Sequence, residues 1–165
     1  MVYGKLGKFD DALDDLSNAL KIDSSYADAF FNRGITYFKL KKNYEAISDY
    51  LNACKFDSSF CINSYDNIGY CYFEMMDYSN ALKNFIYCLE KDSSKFDSMI
   101  GLSMTYYNLK KFDKSKFWMN KAIDLEPRMK KGKVGIDEIA KNGYSYSNEK
   151  ITLLKKIFEL MNLKW

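Results

Sequence analysis

The amino-acid sequence predicts an all-α protein built from successive helical hairpins. The first observation behind this is an internal period, because the triplet Asp-Ser-Ser begins at Asp23, Asp57 and Asp92, with spacings of 34 and 35 residues. The second is that each period holds two stretches in which apolar or small residues recur every three to four positions, which is the spacing of one helix face. A two-helix unit that repeats along the chain is typical of a solenoid, in which each unit packs on its neighbours.

Small residues keep the same period and indicate where two helices approach each other. Three series of small residues run through the chain at spacings of 34 or 35 residues. They are Ala12, Ala46, Ala81 and Ser115; Ala19, Ala53, Cys88 and Ala122; and Gly34, Gly69 and Ser103. Small side chains at matched positions allow the helices of a hairpin to pack closely, and large aromatic side chains fill the space beside them.

The elements of one unit follow each other in a clear order. The first helix carries Phe30, Arg33, Gly34 and Tyr37, the polar break is Lys41-Lys42-Asn43, and the second helix carries Ala46, Tyr50 and Ala53. Asp-Ser-Ser then ends the unit, and a Ser hydroxyl is expected to cap the next helix by accepting from a first-turn N–H. Pro127 is the only proline and is expected to end the last unit.

These positions strongly resemble the tetratricopeptide repeat, a helical hairpin of about 34 residues. The three matching units are Phe30-x3-Gly34-x2-Tyr37-x8-Ala46-x3-Tyr50-x2-Ala53, Tyr65-x3-Gly69-x2-Tyr72-x8-Ala81-x3-Phe85-x2-Cys88, and Met99-x3-Ser103-x2-Tyr106-x8-Ser115-x3-Met119-x2-Ala122 followed by Pro127. The resemblance covers about residues 3 to 129 and implies a right-handed α-α superhelical solenoid. Pentatricopeptide RNA-binding repeats share the period, but the Asp-Ser-Ser and Glu-Pro endings fit the tetratricopeptide pattern better.

The predicted repeats are one partial unit and three full units. They span residues 1–26, 27–61, 62–95 and 96–129. One extra residue falls near Ser59-Phe60-Cys61, which places Cys61 in a loop between units. In the partial unit only Val2-Tyr3-Gly4-Lys5-Leu6 of a first helix remains, so the N-terminal edge is expected to be open and adhesive. The chain is then a piece of a longer array, or something else covers that edge.

Residues 130–165 leave the repeat pattern and predict a C-terminal helical cap. One helix is expected over about residues 130–141, ended by Asn142-Gly143. A second is expected after Ser147, with Glu149 in its first turn. Its apolar face consists of Ile151, Leu154, Phe158, Met161 and Trp165. This face is expected to cover the last repeat, and a face reserved for a partner or for self-association is the alternative.

Composition excludes several classes of protein. The chain has 165 residues and no histidine, which excludes Ser-His-Asp and Cys-His catalysis and His-containing zinc sites. No stretch approaches the roughly 20 apolar residues of a membrane span, and no signal peptide follows Met1. We therefore expect a cytoplasmic chain without a membrane partner. Its cysteines, Cys54, Cys61, Cys71 and Cys88, are expected to be reduced and mostly to act as small buried residues.

The net charge of +3 is concentrated at the C-terminal end. Residues 1–60 hold 8 basic and 9 acidic residues, residues 61–127 again hold 8 and 9, and residues 128–165 hold 9 and 4. A nucleic-acid partner needs a concentrated basic stripe, so none is expected for the repeats. The basic stretch over residues 128–133 is expected to be a solvated connection and not a phosphate site.

The sequence contains no catalytic constellation. Asp10, Asp11, Asp14 and Asp15 form an acidic cluster, but no base or cleft accompanies them, so a solvated helix face is expected. There is also no Gly-rich phosphate loop and no carboxylate set at metal-binding spacing. The chain is therefore predicted to be no enzyme and to need no cofactor or metal.

The resemblance implies that the first helices of successive repeats line a concave groove. The predicted peptide-binding residues are Asp28, Phe31, Asn32, Ile35 and Phe38 in the first full repeat, Asp66, Asn67, Tyr70 and Phe73 in the second, and Asp97, Met104 and Tyr107 in the third. For any one of the apolar residues, packing between neighbouring first helices is the alternative. A groove with aromatic walls and scattered Asp suits a peptide that carries apolar anchors and some Lys or Arg.

A chaperone's C-terminal carboxylate is not the expected ligand. Family members that grip such a carboxylate use groove Asn residues in two repeats and Lys and Arg in the third. Asn32 and Asn67 match the first part, but Asp97 and Gly101 stand where the cations would be. A carboxylate would therefore meet carboxylates instead of a bidentate donor.

The sequence thus predicts a non-catalytic protein-interaction module that binds a peptide or protein segment in its groove. One alternative is a regulatory or oligomerising fragment of a larger protein or enzyme. Another is a homo-oligomer that associates through the open N-terminal edge and the helix that ends at Trp165.

Overall fold

The computed structural model describes residues 9–141 and 147–161, and these residues form α-helices joined by short turns, with no strand among them. The α-helices are α1 (Phe9–Ile22), α2 (Ala27–Lys39), α3 (Asn43–Phe56), α4 (Cys61–Glu74), α5 (Tyr78–Lys91), α6 (Phe96–Asn108), α7 (Phe112–Leu125), α8 (Lys133–Lys141) and α9 (Asn148–Leu160). Short 3-10 helices, Ser58–Phe60 and Pro127–Lys131, precede α4 and α8. The predicted all-α fold of repeated hairpins is confirmed.

The chain divides into two compact units, Met1–Asp92 and Ser93–Trp165, called unit 1 and unit 2 below. In unit 1 the hairpins are α2 with α3 and α4 with α5, and contacts of α1 with α2 and of α3 with α4 join them. In unit 2 the hairpin is α6 with α7, and α9 packs on α6, α7 and α8. The division of the chain at residue 129 into repeats and cap stays a prediction.

Small residues are buried where the helices of a hairpin meet, as the period predicts. Ala46, Ala81 and Ala122 have no exposed surface. A Cβ built on Gly34 would lie 2.9 Å from Cε1 of Tyr50, closer than carbon atoms pack. The glycine is therefore needed because the aromatic ring of the second helix lies directly on the backbone of the first.

The third hairpin replaces this arrangement with a pair of buried hydroxyls. Ser103 Oγ donates to the carbonyl of Ser115 at 2.9 Å, and Ser115 Oγ donates to the carbonyl of Ser103 at 2.8 Å. Met119 occupies the place in the repeat that the aromatic ring holds in the other hairpins. A flexible unbranched side chain leaves room for a residue larger than glycine.

Each hairpin turn contains one residue in the left-handed region of φ. These residues are Lys41 at 61°, Met76 at 60° and Lys110 at 61°. After α2, the N–H of Lys41 donates to the carbonyl of Phe38 and the N–H of Lys42 donates to the carbonyl of Tyr37, and the same bonds recur after α4 and α6. This is a Schellman-type helix end, for which glycine is the preferred residue.

The Asp of the Asp-Ser-Ser triplet, and not the Ser, supplies the capping oxygen in the first two triplets. Asp23 Oδ1 accepts from the N–H of Ser25 at 2.9 Å, and Asp57 Oδ1 accepts from the N–H of Ser59 at 2.8 Å. Helix α2 begins after Tyr26 without any side-chain cap. The expected serine caps are therefore wrong there, because the Asp side chain reaches the amide two residues ahead and closes the turn first.

Two of the four cysteines form a disulfide and the other two do not. Cys54 and Cys61 form a disulfide with their Cα atoms 4.4 Å apart, so the expectation of reduced thiols is wrong for them. Cys61 is also the first residue of α4 and not a loop residue, because the 3-10 helix Ser58–Phe60 absorbs the extra residue. That tight turn brings the end of α3 within disulfide reach of the start of α4. Cys71 and Cys88 lie outside the disulfide and are buried, as expected.

The region after the last repeat forms two helical segments before α9. Helix α7 ends at Leu125, and Pro127 opens a 3-10 helix that Gly132, with φ of 62°, separates from α8. The helix expected over residues 130–141 is thus divided at Gly132. Within residues 128–133, Arg128 binds Glu126 at 2.6 Å and Lys131 binds Glu138 at 3.2 Å.

Helix α9 caps the last repeat as predicted. Ser147 Oγ accepts from the N–H of Lys150 at 3.3 Å and begins the helix. Leu154 and Phe158 are buried, and α9 packs on α6 and α7. The expected elements at Val2-Tyr3-Gly4-Lys5-Leu6, Asn142-Gly143 and Trp165 lie outside the described residues.

Candidate functional site

The predicted groove face of α2 is partly accessible. Asp28 is exposed, while Phe31, Asn32, Ile35 and Phe38 are half-buried. The three apolar side chains pack against a buried cluster that includes Tyr50 of α3 and Ile68 and Cys71 of α4. Each of them therefore serves the packing of unit 1 and also presents part of its surface to solvent.

Aromatic contacts fix the position of Phe31 on this face. Its ring centroid lies 5.6 Å from that of Tyr50 and 5.1 Å from that of Phe60, which precedes the disulfide residue Cys61. Asn32 is held along α2 by a 2.8 Å hydrogen bond from its Nδ2 to the carbonyl of Asp28. The first part of the predicted site is thus ordered before any ligand arrives.

The predicted residues of α4 are mostly buried. Asp66 and Tyr70 are each 6% exposed and Phe73 is 9% exposed. The Tyr70 ring meets the Phe85 ring edge-on at 4.9 Å. These residues belong to the helix packing that the sequence leaves open as an alternative. Asn67 is half-buried and is the predicted α4 residue that keeps accessible surface.

The predicted groove residues of unit 2 are also buried or half-buried. Met104 is fully buried, whereas Asp97 and Tyr107 are half-buried. Ile100, one turn before Met104, is also fully buried and faces Ile139 of α8 and Leu154 of α9 across a small apolar cavity. Helices α8 and α9 therefore cover part of the α6 face that the sequence predicted to be open.

An ion pair that sequence reasoning did not single out fixes the first hairpin. Arg33 Nε lies 2.7 Å from Asp49 Oδ2, and Arg33 Nη2 lies 2.9 Å from Asp49 Oδ1. A third donor of the same guanidinium, Nη1, reaches Ser17 Oγ of α1 at 3.2 Å. The Asp49 side chain is 5% exposed, and its hydrogen bond raises the pKa of Arg33 above the ordinary value. Arg33 thus links α1, α2 and α3.

A second ion pair joins the two first helices of unit 1. Lys41 Nζ, in the turn after α2, lies 2.8 Å from Glu74 Oε2 at the end of α4. The sequence gives little indication of either ion pair, because the partners belong to different elements. The repeat period does not say which sides of those elements face each other. The first pair joins α2 to α3, and the second joins the turn after α2 to the end of α4.

The candidate site offers apolar surface and hydrogen-bonding groups. Across residues 9–141 and 147–161, no three Cys, Asp or Glu side chains gather as metal ligands. In the same part of the chain, none of the helices has the length and apolar character required to cross a bilayer. Apolar surface, one exposed carboxylate and amide groups can hold a protein segment by contact and hydrogen bonding.

Family comparisons agree with the architecture. A family model described as TPR repeat matches residues 2–41, and one described as tetratricopeptide repeat matches residues 27–60 and 96–129. The chain belongs to the tetratricopeptide repeat family, whose repeats are in general non-catalytic interaction modules. Among curated proteins, no sequence matches the chain.

Solved structures with the same fold cover nearly the whole chain. The crystal structure of MamA is 20% identical, has a TM-score of 0.69, and the match covers 98% of this chain and 95% of that chain. YrrB, described as a TPR protein with an unusual peptide-binding site, is 17% identical with a TM-score of 0.61 over 95% of this chain and 80% of that chain. The Arabidopsis OM64 TPR domain is 14% identical with a TM-score of 0.60 over 81% and 93%. At these identities the likeness establishes the fold.

Proposed function

We propose that this chain is a non-catalytic interaction module whose unit 1 binds an extended or helical peptide segment on the accessible face of α2 and α4. The observation that carries the proposal is the row of half-buried apolar side chains Phe31, Ile35 and Phe38 on one face of α2. Neighbouring aromatic side chains that are already ordered give a ligand apolar contact at low entropic cost. The described peptide-binding site of YrrB, on the same fold, supports this kind of ligand.

The charge of unit 1 favours a segment with Lys or Arg between its apolar anchors. Unit 1 contains 14 acidic and 10 basic residues, which gives a net charge of −4. Asp28 is exposed on the binding face itself, and Arg33 is already paired with Asp49. A chaperone's C-terminal carboxylate is a poor ligand for such a face, and so is a nucleic acid.

The proposal keeps six of the predicted residues as direct contacts in unit 1. They are Asp28, Phe31, Asn32, Ile35, Phe38 and Asn67. Asp66, Tyr70, Phe73 and Met104 are buried and support the helices instead. Asp97 and Tyr107 are half-buried in unit 2 and are not part of the proposed unit 1 site.

The experiment uses two matched double variants of the full chain. N32R/N67R places two long cations on the proposed face, whereas S48R/S79R adds the same charge on the exposed sides of α3 and α5. Peptides selected from a random display library against the wild-type chain are then measured against both variants. We expect the selected peptides to carry Lys or Arg, to bind S48R/S79R like wild type, and to bind N32R/N67R at least about tenfold more weakly.

Two results would overturn the proposal. One is a selection that yields no peptide above background, and the other is a set of peptides that bind both variants equally well. Far-ultraviolet circular dichroism of both variants checks that each keeps its helices.

The cellular location is tested separately. The sequence predicts a cytoplasmic chain, whereas the Cys54–Cys61 disulfide favours an oxidising compartment, because the cytosol keeps thiols reduced. Cells quenched in acid and alkylated under denaturing conditions give either two alkylated cysteines or one bonded pair by mass spectrometry. Alkylated cysteines support a cytoplasmic location, and a bonded pair contradicts it.

A further inference from the structure

The two units carry opposite charge. Unit 1 has a net charge of −4, whereas unit 2 contains 15 basic and 8 acidic residues and has a net charge of +7. A formal net charge of +3 for the whole chain conceals this difference. Opposite charge on two parts of one molecule favours contact between different copies when the charges lie on exposed surfaces.

In unit 2 the exposed charge forms an ordered surface on α7 and on the turn that precedes it. This lysine face consists of Lys110, Lys111, Lys114, Phe117 and Lys121, all of them exposed. Within α7, helical spacing places Lys114 and Lys121 about 20° apart around the axis, and Asp113 and Asp124 lie about 80–100° around the helix from Lys114. The lysine face is therefore cationic along its length.

Aromatic contacts hold the lysine face in place. Phe117 lies near the centre of the lysine face and is 53% exposed. Its ring meets the Trp118 ring edge-on, with the centroids 5.2 Å apart. Lys121 Nζ lies 5.7 Å from the Phe117 ring centroid, and Lys114 Nζ lies 5.5 Å from that of Tyr106. Cations stacked on rings lose less freedom when they bind, and Phe117 adds apolar contact at the middle of the surface.

The complementary surface belongs to unit 1. Helix α1 presents Asp10, Asp11, Asp14 and Asp15, and all four are exposed. Nothing in their surroundings indicates chemistry, but as a charged helix face they are opposite in sign to the lysine face and likewise exposed. They belong to α1, whereas the proposed peptide site uses α2 and α4.

We infer that the lysine face of one copy binds the acidic face of α1 of a second copy. The contact joins two different surfaces, because two lysine faces repel each other. A pair joined by one such contact leaves one α1 face and one lysine face unoccupied, so further copies can add in a row. The attraction acts between exposed charges and is therefore weakened by salt, whose screening length is about 10 Å at 0.1 M.

The test is sedimentation velocity on the full chain, with charge reversals on either surface. K114E/K121E brings the net charge of the lysine face to zero, and D14K/D15K does the same for the acidic face of α1. Asp14 and Asp15 are chosen because they lie outside the first turn, where acidic residues stabilise the helix dipole. K130E/K156E is the matched control, because it removes the same charge from exposed positions of unit 2 outside α7. Circular dichroism checks that all three variants keep their helices.

We expect wild type and K130E/K156E to associate with concentration at about 20 mM salt and to dissociate at about 500 mM salt. Each reversal variant alone is expected to bind itself at least about tenfold more weakly. A mixture of the two variants restores association into pairs, because the unchanged acidic face of K114E/K121E binds the unchanged lysine face of D14K/D15K. This restoration distinguishes a specific contact from general charge repulsion.

Several results would overturn the inference. A wild-type chain that stays monomeric in low salt excludes the contact, and association that survives both reversals places self-association on another surface. Loss with K114E/K121E but not with D14K/D15K excludes α1 as the ligand. Binding of the lysine face to an added acidic peptide or anionic vesicle, without any self-association, also contradicts a second copy as the occupant.

Discussion

Gly69 lies against the ring of Phe85 so closely that a Cβ on the glycine would be 2.6 Å from Cε1 of the ring. The first hairpin repeats this relationship between Gly34 and Tyr50. In the third hairpin Ser103 replaces the glycine where a methionine replaces the ring. The shape of the side chain on the second helix thus decides which residue the first helix can carry.

The G69A variant should therefore be less stable than wild type. Overpacking a close helix contact costs about 1–3 kcal/mol, which exceeds the roughly 1 kcal/mol that Ala gains over Gly in helix propensity. Urea unfolding followed by circular dichroism measures the difference. The double variant G69A/F85M should recover part of the loss, because a flexible methionine can move aside. Equal stability of G69A and wild type would show that the Phe85 ring moves aside without a loss in the free energy of unfolding.

Much of the fold follows from the sequence because the period aligns positions that pack together. Gly34, Ala46 and Tyr50 lie at fixed distances within the unit, so their packing partners repeat with them. The capping of α9 by Ser147 follows in the same way from local chemistry. The capping oxygen of Asp23 was missed because Asp and Ser compete for the same amide, and only geometry decides between them.

The candidate site follows from the sequence less completely. Ile35, Tyr70 and Met104 hold the same position in their repeats, yet Ile35 is half-buried and the other two are buried. The period specifies the face of a helix but not what covers that face. The pairing of Arg33 with Asp49 depends likewise on the rotation of two helices against each other, which no spacing in the sequence states.

A second prediction concerns the turn residue Met76. Its φ of 60° is unfavourable for a residue with a Cβ, and its side chain is 74% exposed and contributes little packing. M76G is expected to raise the free energy of unfolding by about 0.5–1 kcal/mol, because glycine adopts this conformation without a Cβ clash. Thermal unfolding measures the gain, with M76A as the control that keeps the Cβ. An equal gain in the free energy of unfolding for M76A would mean that the methionine side chain, and not the backbone conformation at residue 76, destabilises the wild-type turn.

A third prediction concerns the disulfide between Cys54 and Cys61. The short loop that it closes restricts the unfolded chain, so reduction should lower the free energy of unfolding by about 2–3 kcal/mol. Thermal unfolding with and without a thiol-free reductant measures this in wild type. The C54A/C61A variant should resemble the reduced protein and show no response to reductant. Buried Cys71 and Cys88 should react with a thiol reagent only after unfolding, and rapid labelling of four thiols in the native protein would contradict the disulfide.

The last prediction is a loss of stability in acid that depends on three turn aspartates. Hydrogen bonds from Ser25 lower the pKa of Asp23 below 3.8, those from Ser59 lower the pKa of Asp57, and those from Asn80 lower the pKa of Asp77.

Because the folded pKa is lower than the unfolded one, each carboxylate stabilises the fold above pH 3.8. That stabilisation is lost as pH falls through the folded pKa. The triple variant D23N/D57N/D77N keeps an oxygen acceptor at each turn but has no charge to lose. We expect its melting temperature to be below that of wild type at pH 6, and the difference to shrink as pH falls below about 3.8. A difference that stays constant from pH 6 to pH 2 would contradict a contribution from the charge of these carboxylates.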